Sequence, residues 1–598
     1  MTTPEKTPEI IRERLAMLRE ELRREHLSAF IFPTTDPHNS EYTADHWKSR
    51  QWISGFTGSA GTAVVTLTAA ALWTDSRYFI AAAEQLKDTG YVLMKEKISG
   101  TPTIAEWLGN QLADDADREV GIDGMTSSIS AVEALQEQLR QQGGITLRTN
   151  FNPLQRLWHD RPPIPTDTVT LQPLSLTGED TPSKLSRLRR RLRELHADGM
   201  LMTQLDDIAW TLNMRGSDVH CNPVFVSYLL IATDRATLYI NKVKLNSDTR
   251  AYLADNGITV DDYDNIGNGL HDYGEYNILI DADTVAHTLG KDVRCHVVMA
   301  ASPVAAMKAV KTAAEQKGMR QAMLRDGVAM VQWLRWLSEN AAGQTEMSVS
   351  QKLEALRSRQ PLYKGLSFDT IAGYEAHGAI VHYEATADTD ATLQSKGLLL
   401  VDSGAQYQDG TTDITRTIAL GPLTDEQRRV YTLVLKGNIR LAMLQFPDGA
   451  SGTQIDAIAR EPLWQAGLNY LHGTGHGVGA FLNVHEGPHQ IRMEWRPSPL
   501  RSGMTVTDEP GIYLEGRFGV RIENTLLVTE GQQTECGRFL RFEVLTLCPI
   551  DTAPIIREML TAGELQWLNN YHATVWQRLS PHLDADDQQW LRQATKPL

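Results

Sequence analysis

Cysteine is scarce in this 598-residue chain, with four residues, Cys221, Cys295, Cys536 and Cys548, scattered along it. They are too few and too far apart for a disulfide framework, and no CxxC pair is present to build a zinc knuckle. No apolar run reaches 18 residues, so hydropathy offers no membrane-spanning helix. The opening MTTPEKTPEIIRERL lacks the apolar stretch of a secretory leader. These absences predict a cytoplasmic protein with no membrane partner. Positive charge is also short, since 58 Lys and Arg against 74 Asp and Glu leave a formal charge of −16. A phosphate backbone is neutralised by clustered cations, so nucleic acid is not the expected ligand. The basic run RLRRRLR at 187–193 reads as one solvated face of an amphipathic helix, because Leu188, Leu192 and Leu195 recur at helical spacing.

What is present suits a large globular enzyme. The chain is too long for a single core, and about three domains are expected. Its first 310 residues look like a diverged duplication. Residues 9–35 combine a charged amphipathic helix with the apolar strand SAFIFPTT, and residues 183–205 repeat that order and end in MLMTQL. An Asp follows each strand (Asp36, Asp206), then an aromatic segment with a Gly-Ser element and a β-rich stretch. Helices alternating with strands predict two related α/β domains, at 1–160 and 168–312, joined by the stiff linker RPPIPTD. From 313 a long helix, with Met323, Met330, Val331, Leu334 and Leu337 on a buried face, opens an α+β domain that runs to 552. A helical extension, 553–598, carries Trp567, Tyr571 and Trp576, which are expected to pack onto the core.

The chemistry concentrates in that third domain. In LLLVDSGAQYQDGTTDITRTIAL two acids, Asp402 and Asp413, interrupt apolar β-type runs. A buried carboxylate costs several kcal/mol unless paired or metal-bound. HGTGHGVG places His472 and His476 in a loop too glycine-rich for a helix, and it lacks the GK[ST] ending of a phosphate loop. HEGPH at 485–489 matches the HExxH zinc pattern formally, but Gly487-Pro488 would break the helix that pattern requires. VTDEPGIY and GVRIENTLLV add Glu509 and Glu523. Asp402, Asp413, His476, Glu509 and Glu523 then supply four carboxylates and one imidazole. That set favours hard divalent ions, manganese first, with zinc or cobalt as alternatives. Four negative charges call for two such ions, and ions ~3.5–4 Å apart can share a hydroxide and polarise a carbonyl. One geometric problem arises. With a two-residue turn centred on Asp409-Gly410, Asp402 and Asp413 would share a face but stand ~13 Å apart along it, so a loop or bulge is expected to slide the strands until the acids are neighbours.

The succession DSGAQYQDGTTDITRT, HGTGHGVGAFLNVHEGP, TDEPGIY and GVRIENTLLV resembles the pita-bread metallopeptidases, and most closely aminopeptidase P of the three-domain type. SGFTGSAGTAVV, DDIAWTLNMRGSDV and WLNNYH extend the likeness over nearly the whole chain. Glu384-Ala385 departs from it, standing where a proline is common. The resemblance implies two creatinase-like N-terminal domains before a pita-bread catalytic domain. It makes Asp402 a ligand of one ion, Asp413 and Glu523 bridging ligands, and His476 and Glu509 ligands of the other. His382 and His485 match non-ligand active-site histidines, and His472 and Arg521 match residues that line the site; as a mechanistic expectation beside the resemblance, Glu509 also carries the proton from the water to the leaving nitrogen. The implied reaction releases the first residue from peptides with proline in second place, using a hydroxide that bridges the metals, and the implied assembly is a homodimer. Prolidase, acting on Xaa-Pro dipeptides, and a catalytically silent pita-bread binding module remain the alternative readings.

Overall fold

The computed structural model describes residues 7–115, 117–293 and 296–598, so Cys295 lies outside the described residues. The chain forms two compact units. The first comprises residues up to Leu171, Asp180–His220 and Val224–Val304. It opens with helix Pro8–Arg24, which starts where Thr7 caps and Pro8 pre-sets the first turn, and which buries Ile11, Leu15, Leu18 and Leu22. The corresponding helix Thr181–Glu194 is capped by Asp180 and buries Leu185, Leu188 and Leu192, so the basic run is the polar face of a packed helix.

Two sheets follow these helices. Strands β1–β6 are Ala29–Pro33, Thr62–Thr66, Ala70–Thr74, Val92–Lys95, Glu119–Ile122 and Thr146–Arg148; β7–β12 are Gly199–Met202, Ser227–Ala232, Ala236–Ile240, Ile258–Asp261, Ile278–Ile280 and Val297–Met299. The first sheet has the order β4-β3-β2-β1-β5-β6 and the second β10-β9-β8-β7-β11-β12. Each has its strand after the long helix at the same place, with two antiparallel pairs and then a parallel edge pair on one side of it and two parallel pairs on the other. The duplication read from sequence is therefore one topology used twice. The two sheets share a unit because residues of one half are built into the other. His38 is buried with Nε2 2.9 Å from the Tyr263 hydroxyl and Nδ1 3.0 Å from the Thr203 carbonyl.

The second unit comprises Gln172–Glu179, Cys221–Pro223 and Ala305–Leu598. Its spine is helix Ala313–Asn340, begun by a Thr312/Glu315 capping box and buried round most of its circumference, including all five apolar residues expected on its core face. Strand Leu398–Tyr407 pairs antiparallel with Tyr363–Tyr374 on one side and with Gly410–Thr411 and Ile414–Ala419 on the other. A second antiparallel sheet is built from Gln445–Pro447, Gly537–Val544, Asn524–Thr534 and Thr505–Asp508. Helix Ala562–Leu579, the first of two α-helices in the C-terminal extension, buries Tyr571, whose hydroxyl meets the buried Arg416 guanidinium at 3.0 Å. Trp567 stacks on Tyr571 and Trp576 is partly buried against the same cluster.

The expected sliding bulge is not what brings the two hairpin acids together. Tyr407 pairs with Gly410, so the turn centres on Gln408-Asp409, one residue earlier than expected. That single step changes the register by two. Asp402 pairs with Thr415, which leaves Asp413 level with Gly404, two positions away on the same face. Helix Ala313–Asn340 sets this turn, because Arg325 pairs with Asp409 and Asp326 accepts the Tyr407 hydroxyl at 3.1 Å. A local exchange then keeps the ladder satisfied, with the Ala405 N–H donating to Thr412 Oγ1 and Ser367 to the Thr412 carbonyl.

Candidate metal centre

The hairpin delivers Asp402 and Asp413, the two-stranded ribbon Gly475–Gly477/Glu486–Ile491 delivers His476, and Glu509 and Glu523 lie just beyond strands Thr505–Asp508 and Phe518–Arg521. Ligand atoms of Asp413, His476 and Glu523 all lie within 4.8 Å of one another. The His476 Nε2 is 3.5 Å from both Asp413 Oδ2 and Glu509 Oε1. Its Nδ1 is 2.9 Å from the Gly477 carbonyl, and an N–H there leaves the Nε2 lone pair facing the acids. Thr415 Oγ1 donates to Glu523 Oε2 at 2.8 Å, and Thr507 Oγ1 to Glu509 Oε1 at 3.2 Å. Each of these hydroxyls occupies one oxygen and orients the carboxylate.

Burial and mutual repulsion dominate the electrostatics. Burial, with Asp402 and Glu509 close by, pushes the Asp413 carboxyl well above its usual range; Glu523 is pushed up by burial and by Asp413, Asp402 and Glu509. Glu509 is pushed up to about 7 by burial and by Asp402, against the pull of Arg521 and His485. Arg521 reaches Asp402 Oδ2 at 2.7 Å, but Asp402 Oδ1 is buried without a hydrogen-bond partner among the described residues. An unpartnered carboxylate oxygen, together with repelling acids two of which face an imidazole nitrogen, fits divalent cations with oxygen preference.

This arrangement carries a signed pH prediction. In the metal-free fold the raised carboxyls of Asp413, Glu509 and Glu523 favour holding protons that the unfolded chain, titrating near 4, has released. Glu509 therefore costs the metal-free fold stability as pH rises from about 4 through about 7, at about 1.4 kcal/mol per pH unit, and Asp413 and Glu523 act in the same direction. Metal binding displaces those protons. The gap in melting temperature between manganese-loaded and chelated protein is expected to widen from pH 5.5 to pH 8, with protons released on loading in weak buffer. A gap that is constant with pH would contradict this account.

The residues assigned to the lining are gathered here too. His472 Nδ1 is 2.7 Å from the Gly473 carbonyl and Nε2 is 2.8 Å from the Tyr513 hydroxyl, which accepts from Arg521 Nη1 at 2.7 Å. This gives one consistent proton order, from Arg521 to Tyr513 to His472 to Gly473. His485 stands edge-on to His476, with ring centroids 4.3 Å apart. His382 follows Val381, whose carbonyl accepts from Arg521 at 3.3 Å. His489 takes no part: it is buried, Nε2 lies 2.7 Å from the Thr505 carbonyl, and Glu486–Ile491 is a strand rather than a helix. Sequence reasoning missed Tyr513, Thr415 and Thr507. Tyr513 closes the quoted TDEPGIY motif, but an aromatic on a strand is core by default.

Fold and acid cluster together define a metallopeptidase. Residues 317–530 match metallopeptidase family M24, 14–149 and 160–315 match creatinase/prolidase N-terminal domains, and 538–598 match the C-terminal region of the M24 peptidases. A probable Xaa-Pro aminopeptidase P of Laccaria bicolor is 40% identical, covering 98% of this chain and 93% of its own. Aminopeptidase P1 of Lotus japonicus is 37% identical over 96% and 97% of the two chains. Among solved structures, an X-prolyl aminopeptidase from Caenorhabditis elegans, described as a cytosolic enzyme with a di-nuclear active site, superposes with a TM-score of 0.93 at 35% identity, covering 98% of this chain and 100% of that one. An Xaa-Pro dipeptidase from Bacillus anthracis reaches a TM-score of 0.52 at 25% identity, over 63% of this chain and 100% of that one. The chain belongs to the Xaa-Pro aminopeptidase P family of metal-dependent aminopeptidases.

Proposed function

We propose that this protein hydrolyses the bond between the first residue of a peptide and a proline in second place, releasing a free amino acid and a peptide that begins with proline. The observation that carries the reading is the convergence of Asp413, His476 and Glu523 on one point, with Glu509 beside His476 and the unpartnered Asp402 oxygen on the same hairpin face as Asp413. Asp402 would hold one ion, His476 and Glu509 the other, and Asp413 and Glu523 both; manganese is the resident metal in this reading. When bound, the pair would make a water nucleophilic near neutral pH and polarise the scissile carbonyl. Glu509 takes the proton from the attacking water and returns it to the departing proline nitrogen. His485 donates to the carbonyl oxygen as it gains charge. His382 holds the substrate in reacting position. Arg521 fixes the Asp402 carboxylate through two of its nitrogens, at 3.1 and 2.7 Å.

The test compares Arg-Pro-Pro, Arg-Ala-Ala and the dipeptide Arg-Pro with manganese present and then chelated. We expect metal-dependent release of arginine from Arg-Pro-Pro alone or in preference. Cleavage confined to Arg-Pro would make the protein a prolidase, and no cleavage with both metals bound would overturn the substrate assignment. The reading also takes the working form to be a cytosolic homodimer, so activity should elute at twice the 66.7 kDa chain mass. Elution of all activity at the monomer mass would remove that part.

A further inference from the structure

Glu346 opens helix Glu346–Arg357, and its side chain is fully buried. A lone carboxylate there would cost several kcal/mol, and among the described residues no Lys or Arg pairs with it; its ion-pair partner is His377. Donors from a distant loop surround it. The Tyr374 N–H donates to Oε1 at 2.7 Å and the Ala391 N–H to Oε2 at 2.9 Å. The Tyr383 hydroxyl is 2.9 Å from Oε2, and His377 Nδ1 lies 2.9 and 3.0 Å from the two oxygens. His377 also stacks on Tyr383, with ring centroids 4.5 Å apart. The Glu346 N–H closes the arrangement by donating to the Ala391 carbonyl.

These four donor residues bracket one segment. Tyr374 and His377 precede it, Ala391 ends it, and Tyr383 sits within it, directly after His382. On the other side of His382, the Val381 carbonyl accepts from Arg521, the residue that grips Asp402. His382 is therefore held between two anchors, one tied to the metal-site hairpin and one tied to Glu346. A single buried carboxylate has about four acceptor sites, and here they are spent on both ends and the middle of the loop.

We propose that Glu346 is a positioning residue for the hydrolytic reaction, which sets the place of His382 through Tyr383 and the two backbone N–H groups it gathers. This rests on the reading above that His382 acts on the substrate. Glu346→Gln tests the chemistry at nearly constant volume, because its amide N–H2 must face a donor where a carboxylate oxygen accepted one. Tyr383→Phe removes one link and leaves the buried carboxylate with three donor residues, so it serves where Glu346→Gln does not fold.

The experiment measures kcat/KM on Arg-Pro-Pro and metal content for both variants, for His382→Ala, and for each combined with His382→Ala. Expected are losses of about 10- to 100-fold in the single variants with metal content unchanged. The combined variants should lose no more than His382→Ala alone, because a residue acting through His382 has nothing left to act on once it is gone. Losses that multiply, or wild-type rates in both single variants, would overturn the inference. A His382→Ala enzyme with wild-type kcat/KM would instead sink the role of His382 itself, and the positioning role with it.

Discussion

Glu523→Gln is expected to abolish nearly all turnover, by on the order of 10⁴-fold, equivalent to about 5.5 kcal/mol of barrier. The amide keeps the volume of the side chain, and its oxygen can still accept from Thr415, which donates to Glu523 Oε2 in the native protein. It cannot offer a second anionic oxygen toward Asp413 and His476, the point where three ligand atoms converge. The same substitution should move stability in the opposite direction when metal is absent. Glu523 is held well above the usual carboxylate range by burial and by Asp413, Asp402 and Glu509, so removing its charge relieves repulsion that the metal-free fold otherwise meets by binding protons. Chelated Glu523→Gln should thus melt above chelated wild type at pH 8, while added manganese shifts it less. Calorimetry with and without chelator, beside metal analysis, reads both halves. Wild-type metal content with undiminished turnover would show that Glu523 is not shared between ions.

His485→Ala separates binding of the metals from use of them. The His485 ring lies against His476 and near Glu509, half-buried at the start of strand Glu486–Ile491. It does not belong to the convergent ligand set. Losing one donor to the oxygen that gains charge typically costs about 3 kcal/mol, so turnover should fall roughly 100-fold. Metal content and melting temperature should stay at wild-type values. A variant that loses metal in proportion to activity would make His485 a structural support of His476 instead.

Much of this protein was legible before its fold was known. The amphipathic helices at Pro8–Arg24 and Thr181–Glu194 were visible because their apolar residues recur at a local period, and that period decides which face is buried. The repeated helix, strand, Asp and Gly-Ser order announced a duplicated design, and the sheets carry it as one strand order used twice. Asp402, Asp413, Glu509 and Glu523 stood out for an energetic reason: acids inside apolar strand sequence need a partner.

Contacts between distant segments were not legible. The hairpin register depended on Arg325, 84 residues upstream of Asp409, and one residue of difference at the turn moved Asp413 two positions relative to Asp402. Nothing local marks Glu346 as more than a first-turn acid of its helix, and only the packing of a segment some 30 to 45 residues away makes it a buried hub. Local sequence determined which residues could bind metal, because ligand chemistry belongs to the side chain alone. Tertiary structure decided how far apart they stand, which oxygens are already taken by Thr415, Thr507 and Arg521, and which remain to face a cation. Distance and desolvation are properties of the packed chain, and no residue carries them by itself.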